Sequence, residues 1–232
     1  MKVIGLIGGM SWESTALYYR IINETVRARL GSLHSARLML ASIDFQTIER
    51  LQHAGLWEEA GELLADNARS IQAAGAQNVV LCTNTMHKVA DRIASAVGIP
   101  LLHIADPTGA AIVRAGHRRV GLLGTRFTME QDFYRARLQT QFDLDVLTPD
   151  ADDRDVVHRI IYEELCLGSV IDASRHAYRE VMARLIARGA EAIVMGCTEI
   201  TMLIDASDSP VPLFDTTHLH AVAAAEWSIQ DE

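Results

Sequence analysis

Cys197, Thr198 and Glu199 follow one another directly after Gly196, so a thiol, a hydroxyl and a carboxylate share one short stretch. The run before them, Ala192–Met195, is apolar and rich in β-branched side chains, and reads as a buried strand. A matching stretch lies earlier, where Asn78–Leu81 leads into Cys82-Thr83-Asn84-Thr85-Met86-His87. Two such groups, with no metal-ligand spacing around them, suit one kind of chemistry. One takes a proton from a carbon and the other delivers a proton to its opposite face. A thiolate forms readily where positive dipoles favour it, whereas an alcohol is a far weaker acid. The carbanion-like charge needs donors, which helix N-termini supply. Met10, Asn84, Thr85, Thr198 and Glu199 stand at expected helix starts and are candidate substrate-binding residues.

Strand and helix patterns alternate along the chain and predict a doubly wound, parallel α/β layout. Strands are expected at 2–7, 37–43, 78–81, 99–104, 119–123, 145–147, 192–195 and 211–214. Helices are expected from Ser11 to near Gly31, at Trp57–Ile71, 86–97, 108–114, 129–139, 156–167, 171–187 and 219–228. The two halves also match each other. Ala73–Leu81 aligns without a gap on Ala187–Met195, an offset of 114 (187 against 73). Gly5 aligns on Gly121, and Ile99-Pro100-Leu101-Leu102 on Val211-Pro212-Leu213-Phe214, in the same order. Three ordered anchors indicate an internal duplication. The expectation is two pseudo-symmetric α/β domains with the active site in the cleft between them. The first spans 1–105 and is completed by the returning strand and helix of 211–232; the second spans 106–210.

Extending the match forward pairs Thr83 with Cys197 and Cys82 with Gly196. Side chains alternate along an extended segment, so if Thr83 faces the cleft, Cys82 faces away. Cys82 remains the alternative catalytic group if the strand end bulges. Cys166 lies on an apolar helix face and reads as core packing. His218 and His220, at i, i+2, do not share a helix face and make no metal site. Gly5, Gly8 and Gly9 do not form a dinucleotide fingerprint.

The totals exclude several classes. The 232 residues carry a net charge of −9, the wrong sign for non-specific nucleic-acid binding. No apolar run approaches the roughly 18 residues that would cross a membrane. Three cysteines argue against a disulfide framework and fit a reducing, cytoplasmic compartment.

Taken together, Gly5-Leu-Ile-Gly-Gly-Met10, Thr83-Asn84-Thr85-Met86-His87, Gly124-Thr125 and Gly196-Cys197-Thr198-Glu199 carry a resemblance. The whole chain resembles the aspartate/glutamate racemase family and looks closest to its broad-specificity amino-acid racemase branch. The resemblance implies a cofactor-independent enzyme that interconverts L- and D-amino acids by two-base proton transfer at Cα, and a homodimer. It also implies one catalytic cysteine per domain, and here the chain departs from it: the first motif usually reads Cys-Asn-Thr, and Thr83 stands at the cysteine position. Some aspartate-selective members carry a basic residue after the second strand. Here that region reads Ser42-Ile-Asp44-Phe-Gln46, with no base before Arg50, which makes Gln46 the candidate contact and Arg126 a candidate substitute base. Two other classes stay open: a related carbon-acid enzyme of the hydantoin racemase or arylmalonate decarboxylase type, and an amino-acid-binding module whose catalysis has weakened.

Overall fold

A computed structural model describes residues 1–230. It divides into two compact units: Met1–Ile104 together with the chain from His220 on, and Ala105–Leu219. Among the described residues no helix is long and apolar enough to cross a membrane.

The first unit runs β1 (Ile4–Gly8), α1 (Trp12–Leu30), β2 (Leu38–Ser42), α2 (Phe45–His53), α3 (Trp57–Ala73) and β3 (Asn78–Leu81). A 3-10 turn at Thr85–Val89 then runs into α4 (Ala90–Ser95), followed by β4 (Leu101–Leu102). The four strands are parallel in the order β2-β1-β3-β4. Each strand end must be returned to the opposite edge, so helices cover both faces, and β1 and β3 are buried throughout. Their side chains alternate between two cores. Ile7, Val79 and Leu81 pack with α3 residues Leu64, Ala68 and Ile71. Ile4, Leu6, Val80 and Cys82 pack with Tyr18, Ile22 and Val26 of α1 and with Ala221, Ala224 and Ala225.

The second unit runs α5 (Ala105–Arg114), β5 (Arg119–Gly124), α6 (Arg126–Glu130), α7 (Asp132–Phe142), β6 (Asp145–Leu147), α8 (Ala151–Glu163), α9 (Asp172–Ala187), β7 (Ala192–Gly196), α10 (Ile200–Leu203) and β8 (Leu213–Asp215). The last helix, α11 (Thr216–Ile229), starts in this unit and carries the chain back to the first. The sheet is again parallel, in the order β6-β5-β7-β8. One core joins Ile193, Met195 and Cys197 to Val157, Ile160, Tyr178, Val181 and Leu185.

The duplication is visible in the register. Gly5 pairs with Val79 and Val79 with Leu101 in the first sheet. Gly121 pairs with Ile193 and Ile193 with Leu213 in the second. The entry to the fourth strand repeats too: Val79 N–H donates to Pro100 O at 2.8 Å, and Ile193 N–H to Pro212 O at 2.9 Å. The turn after the first strand repeats as well. Ser11 caps α1 by accepting from Ser14 N–H, and Thr125 caps α6 by accepting from Thr128 N–H, each at 3.4 Å.

Four expectations need correction. The strand expected over 211–214 to complete the first domain is β8, and it pairs with β7 in the second sheet; only the helix returns. The strand expected at 99–104 has two residues in the ladder. The helix expected over 129–139 is broken at Gln131, whose extended backbone ends α6 and begins α7. The helix expected over 86–97 opens as a 3-10 turn. His87 uses its imidazole to bond the Thr83 carbonyl, and its N–H turns instead to Asn84 O at 3.1 Å, an i−3 bond.

Candidate active site

β7 ends at Gly196 because nothing larger fits. A Cβ there would lie 2.8 Å from Leu123 O. The close approach lets the chain turn sharply into Cys197. The Cys197 thiol, 9% exposed, donates to Glu199 Oε2 at 3.0 Å, and the Thr198 hydroxyl donates to the same oxygen at 2.7 Å. Thr198 and Glu199 are themselves buried. A thiol, a hydroxyl and a carboxylate thus converge on one atom at a strand's C-terminal end, where ligands bind in open α/β sheets.

The electrostatics overturn one expectation. Burial pushes the Cys197 thiol well above its ordinary value, and the Glu199 charge pushes it further. α10 has only four residues, too few to supply the dipole that would favour a thiolate. Cys197 therefore rests as a thiol whose proton already points at a carboxylate. Tyr178 lies in the same core; burial pushes its hydroxyl well above the ordinary tyrosine value, and that hydroxyl donates to Val157 O at 3.4 Å.

In the first unit, Thr83 follows β3 at the position matching Cys197 and keeps 8% exposure. Cys82, fully buried, belongs to the core under α1, and its thiol points at Val80 O, 3.8 Å away. Burial raises it far above the ordinary thiol range. Asn84 and Thr85 follow Thr83, both buried. Met10 is buried in the same core as Met86 of this turn. The loop that carries it depends on Gly9, with φ of +86°, where a Cβ would strike Ile43 O at 2.1 Å. Gln46 is not gathered in: it lies exposed on the first turn of α2, with its amide donating to Glu49 at 3.0 Å. Arg126 is paired with Asp155 at 2.7 Å. Among the described residues no group of three or more His, Cys, Asp or Glu could hold a metal ion.

Three buried residues around the Thr83 turn carry no sequence signal of their own. His103 and His220 sit near His87, with ring centroids 4.5 and 5.9 Å away, and Gln52 donates to Met86 Sδ at 2.9 Å. They come from distant parts of the chain, so no local spacing marks them.

Two parallel α/β units with reactive side chains just past the third strand of each define a duplicated fold of the racemase type. The model of the Asp/Glu/Hydantoin racemase family matches residues 7–224, and the chain belongs to that family. It is 22% identical over 227 residues, 93% of each chain, to a broad-specificity amino-acid racemase of Bacillus subtilis. A solved structure from Yersinia pestis, described as a candidate Asp/Glu racemase, is 57% identical with a TM-score of 0.93, over 99% of this chain and 100% of that one. An aspartate racemase homologue from Pyrococcus horikoshii is 32% identical with a TM-score of 0.84, over 98% and 99%.

Proposed function

We propose that the protein is a cofactor-independent amino-acid racemase that moves one proton at Cα between Cys197 and Thr83. The observation that carries the proposal is the Cys197–Glu199 hydrogen bond of 3.0 Å at the strand end equivalent to that of Thr83. Glu199 accepts the thiol proton, and the thiolate so formed removes the Cα proton from one face. A proton relayed by the Thr83 hydroxyl through water reaches the other face. The protons balance: the Cα proton ends on Cys197 as its thiol, Glu199 releases to solvent the proton it took from Cys197, and solvent returns one proton to the Thr83 hydroxyl. The α-carboxylate is held by Asn84, Thr85 and Thr198 and by the Met10 backbone, whose buried settings strengthen each hydrogen bond. Cys82 is set aside as a proton carrier by its fully buried place in the α1 core. The hydroxyl is the weaker partner, so the two directions are unequal. Likeness to the family and to the broad-specificity relative supports a cytoplasmic homodimer acting on a broad range of amino acids.

Chiral chromatography over a panel of single L- and D-amino acids tests this. Conversion by the wild type, abolished in Cys197→Ser, is expected. No conversion of any amino acid would overturn the proposal.

A further inference from the structure

We propose that His87 is a positioning residue, whose neutral imidazole clamps the Thr83 strand end in its reactive conformation; the inference rests on the role given to Thr83 above. His87 is 3% exposed. Its Nδ1 lies 2.8 Å from Thr83 O, and a carbonyl only accepts, so Nδ1 carries the hydrogen. Its Nε2 accepts Ile104 N–H at 3.2 Å, so this nitrogen carries no hydrogen. Both bonds are satisfied only by the neutral Nδ1–H tautomer. With both nitrogens committed to backbone, the ring orients rather than carries a proton.

The clamp matters because the sheet no longer holds this stretch. β3 ends at Leu81, and Thr83 N–H turns back to Leu81 O at 2.8 Å. The Thr83 carbonyl is then fixed by His87, and through it to Ile104, the last residue before the chain leaves the first unit. A second histidine braces the same segment. His220 Nε2 donates to Leu102 O at 2.9 Å, and its Nδ1 accepts from Tyr18 OH at 2.8 Å. The other repeat has no imidazole at the matching position. Thr201 stands there and donates its hydroxyl to Thr198 O at 2.8 Å. The repeat with the hydroxyl carries the histidine clamp, and the repeat with the thiol carries the carboxylate.

The test compares His87→Asn, His87→Gln and Thr83→Val. Asn places its amide N–H where Nδ1 was and keeps the bond to Thr83. Gln places its amide near Nε2 and loses that bond. The readouts are kcat and KM for α-proton exchange with the amino acid turned over fastest, and amide hydrogen exchange of residues 82–89. His87→Gln is expected to lower kcat about ten- to hundredfold, the cost of a small misplacement, with KM within about threefold. It also speeds amide exchange of 82–89. His87→Asn should stay within about threefold of wild type in both readouts. If Thr83→Val is inactive while His87→Gln matches His87→Asn in both readouts, the inference fails alone. If Thr83→Val exchanges at the wild-type rate, the role of Thr83 fails and takes the inference with it.

Discussion

Replacing Glu199 by Gln keeps the shape of the thiol–carboxylate pair and removes its charge. In the native protein the donor and acceptor are 3.0 Å apart. A thiolate and a carboxylate at that distance repel by about 5 kcal/mol at an effective dielectric constant near 20. The two groups therefore share one proton, and Cys197 becomes a base only by giving its proton to Glu199. Gln accepts a hydrogen bond but cannot take the proton. Glu199→Gln should lower the rate of α-proton exchange by about 10²- to 10⁴-fold, the usual worth of a positioned general base. The same change has the opposite effect on the thiol's acidity. Glu199 holds the Cys197 pKa up, after burial itself, so removing the charge lowers it. Alkylation by iodoacetamide, followed at the Cys197 peptide by mass spectrometry across pH 6–10, should start at a lower pH in the variant. Slower catalysis from a more easily ionised cysteine is the signature. If alkylation moves to higher pH, or if exchange keeps its wild-type rate, the shared-proton reasoning is refuted.

Other expectations follow from the cores around the site. Cys82 is held protonated by burial, above an ordinary thiol value of 9.0. Its contribution to stability is complete below that pH and is lost as pH rises beyond it. Between pH 9 and 11, urea unfolding of Cys82→Ala should lose stability less steeply than wild type, by about 1.4 kcal/mol per pH unit. Cys82→Ala should keep its exchange activity; a loss comparable to that of Cys197→Ser would point to Cys82 as the proton carrier. Asp208 is buried, accepts from Arg179 Nε at 2.7 Å and from Asp205 N–H at 2.9 Å, and so ties the 205–208 turn to α9. Burial pushes its carboxyl up, but those donors win and hold it below the ordinary 3.8. Asp208→Asn should cost about 1–3 kcal/mol near pH 7, with the difference from wild type shrinking below pH 4 in chemical denaturation. Gly196→Ala should abolish activity, because its Cβ would press on Leu123 O at 2.8 Å and displace Cys197; activity in a normally folded Gly196→Ala protein would show that this turn is not needed.

The duplication was legible because the anchors carry their own register. Gly5 and Gly121 mark the crowded first strands, and the Gly-Ala turns before the third strands, Gly75-Ala76 and Gly189-Ala190, fix the offset. The same register assigns β8 to the second sheet, since Leu213 sits beside Ile193 as Leu101 sits beside Val79; only α11 crosses back to the first unit. The 3-10 turn at 85–89 was hidden because it depends on one side chain bonding a carbonyl four residues back. The break at Gln131 was equally hidden, since Met129, Glu130 and Asp132 give no local stop signal and only the extended Gln131 backbone separates α6 from α7. Cys197 and Glu199 are neighbours in sequence and were found together. The weak acidity of that thiol was not readable, because it depends on burial under α8 and α9. The histidine cluster joins residues as far apart as Tyr18 and His220, so it shows only once the fold is known.

The unequal pair of proton carriers is tested most directly by solvent exchange from single enantiomers. Each of the L- and D-forms of the best substrate is incubated in D₂O with wild type and with Thr83→Cys, and the initial loss of the α-proton signal is followed by NMR. Wild type should exchange the form whose Cα–H meets Cys197 faster than its mirror image, and Thr83→Cys should raise the slower rate. Equal rates in the wild type, or a slower rate that Thr83→Cys leaves unchanged, would contradict it.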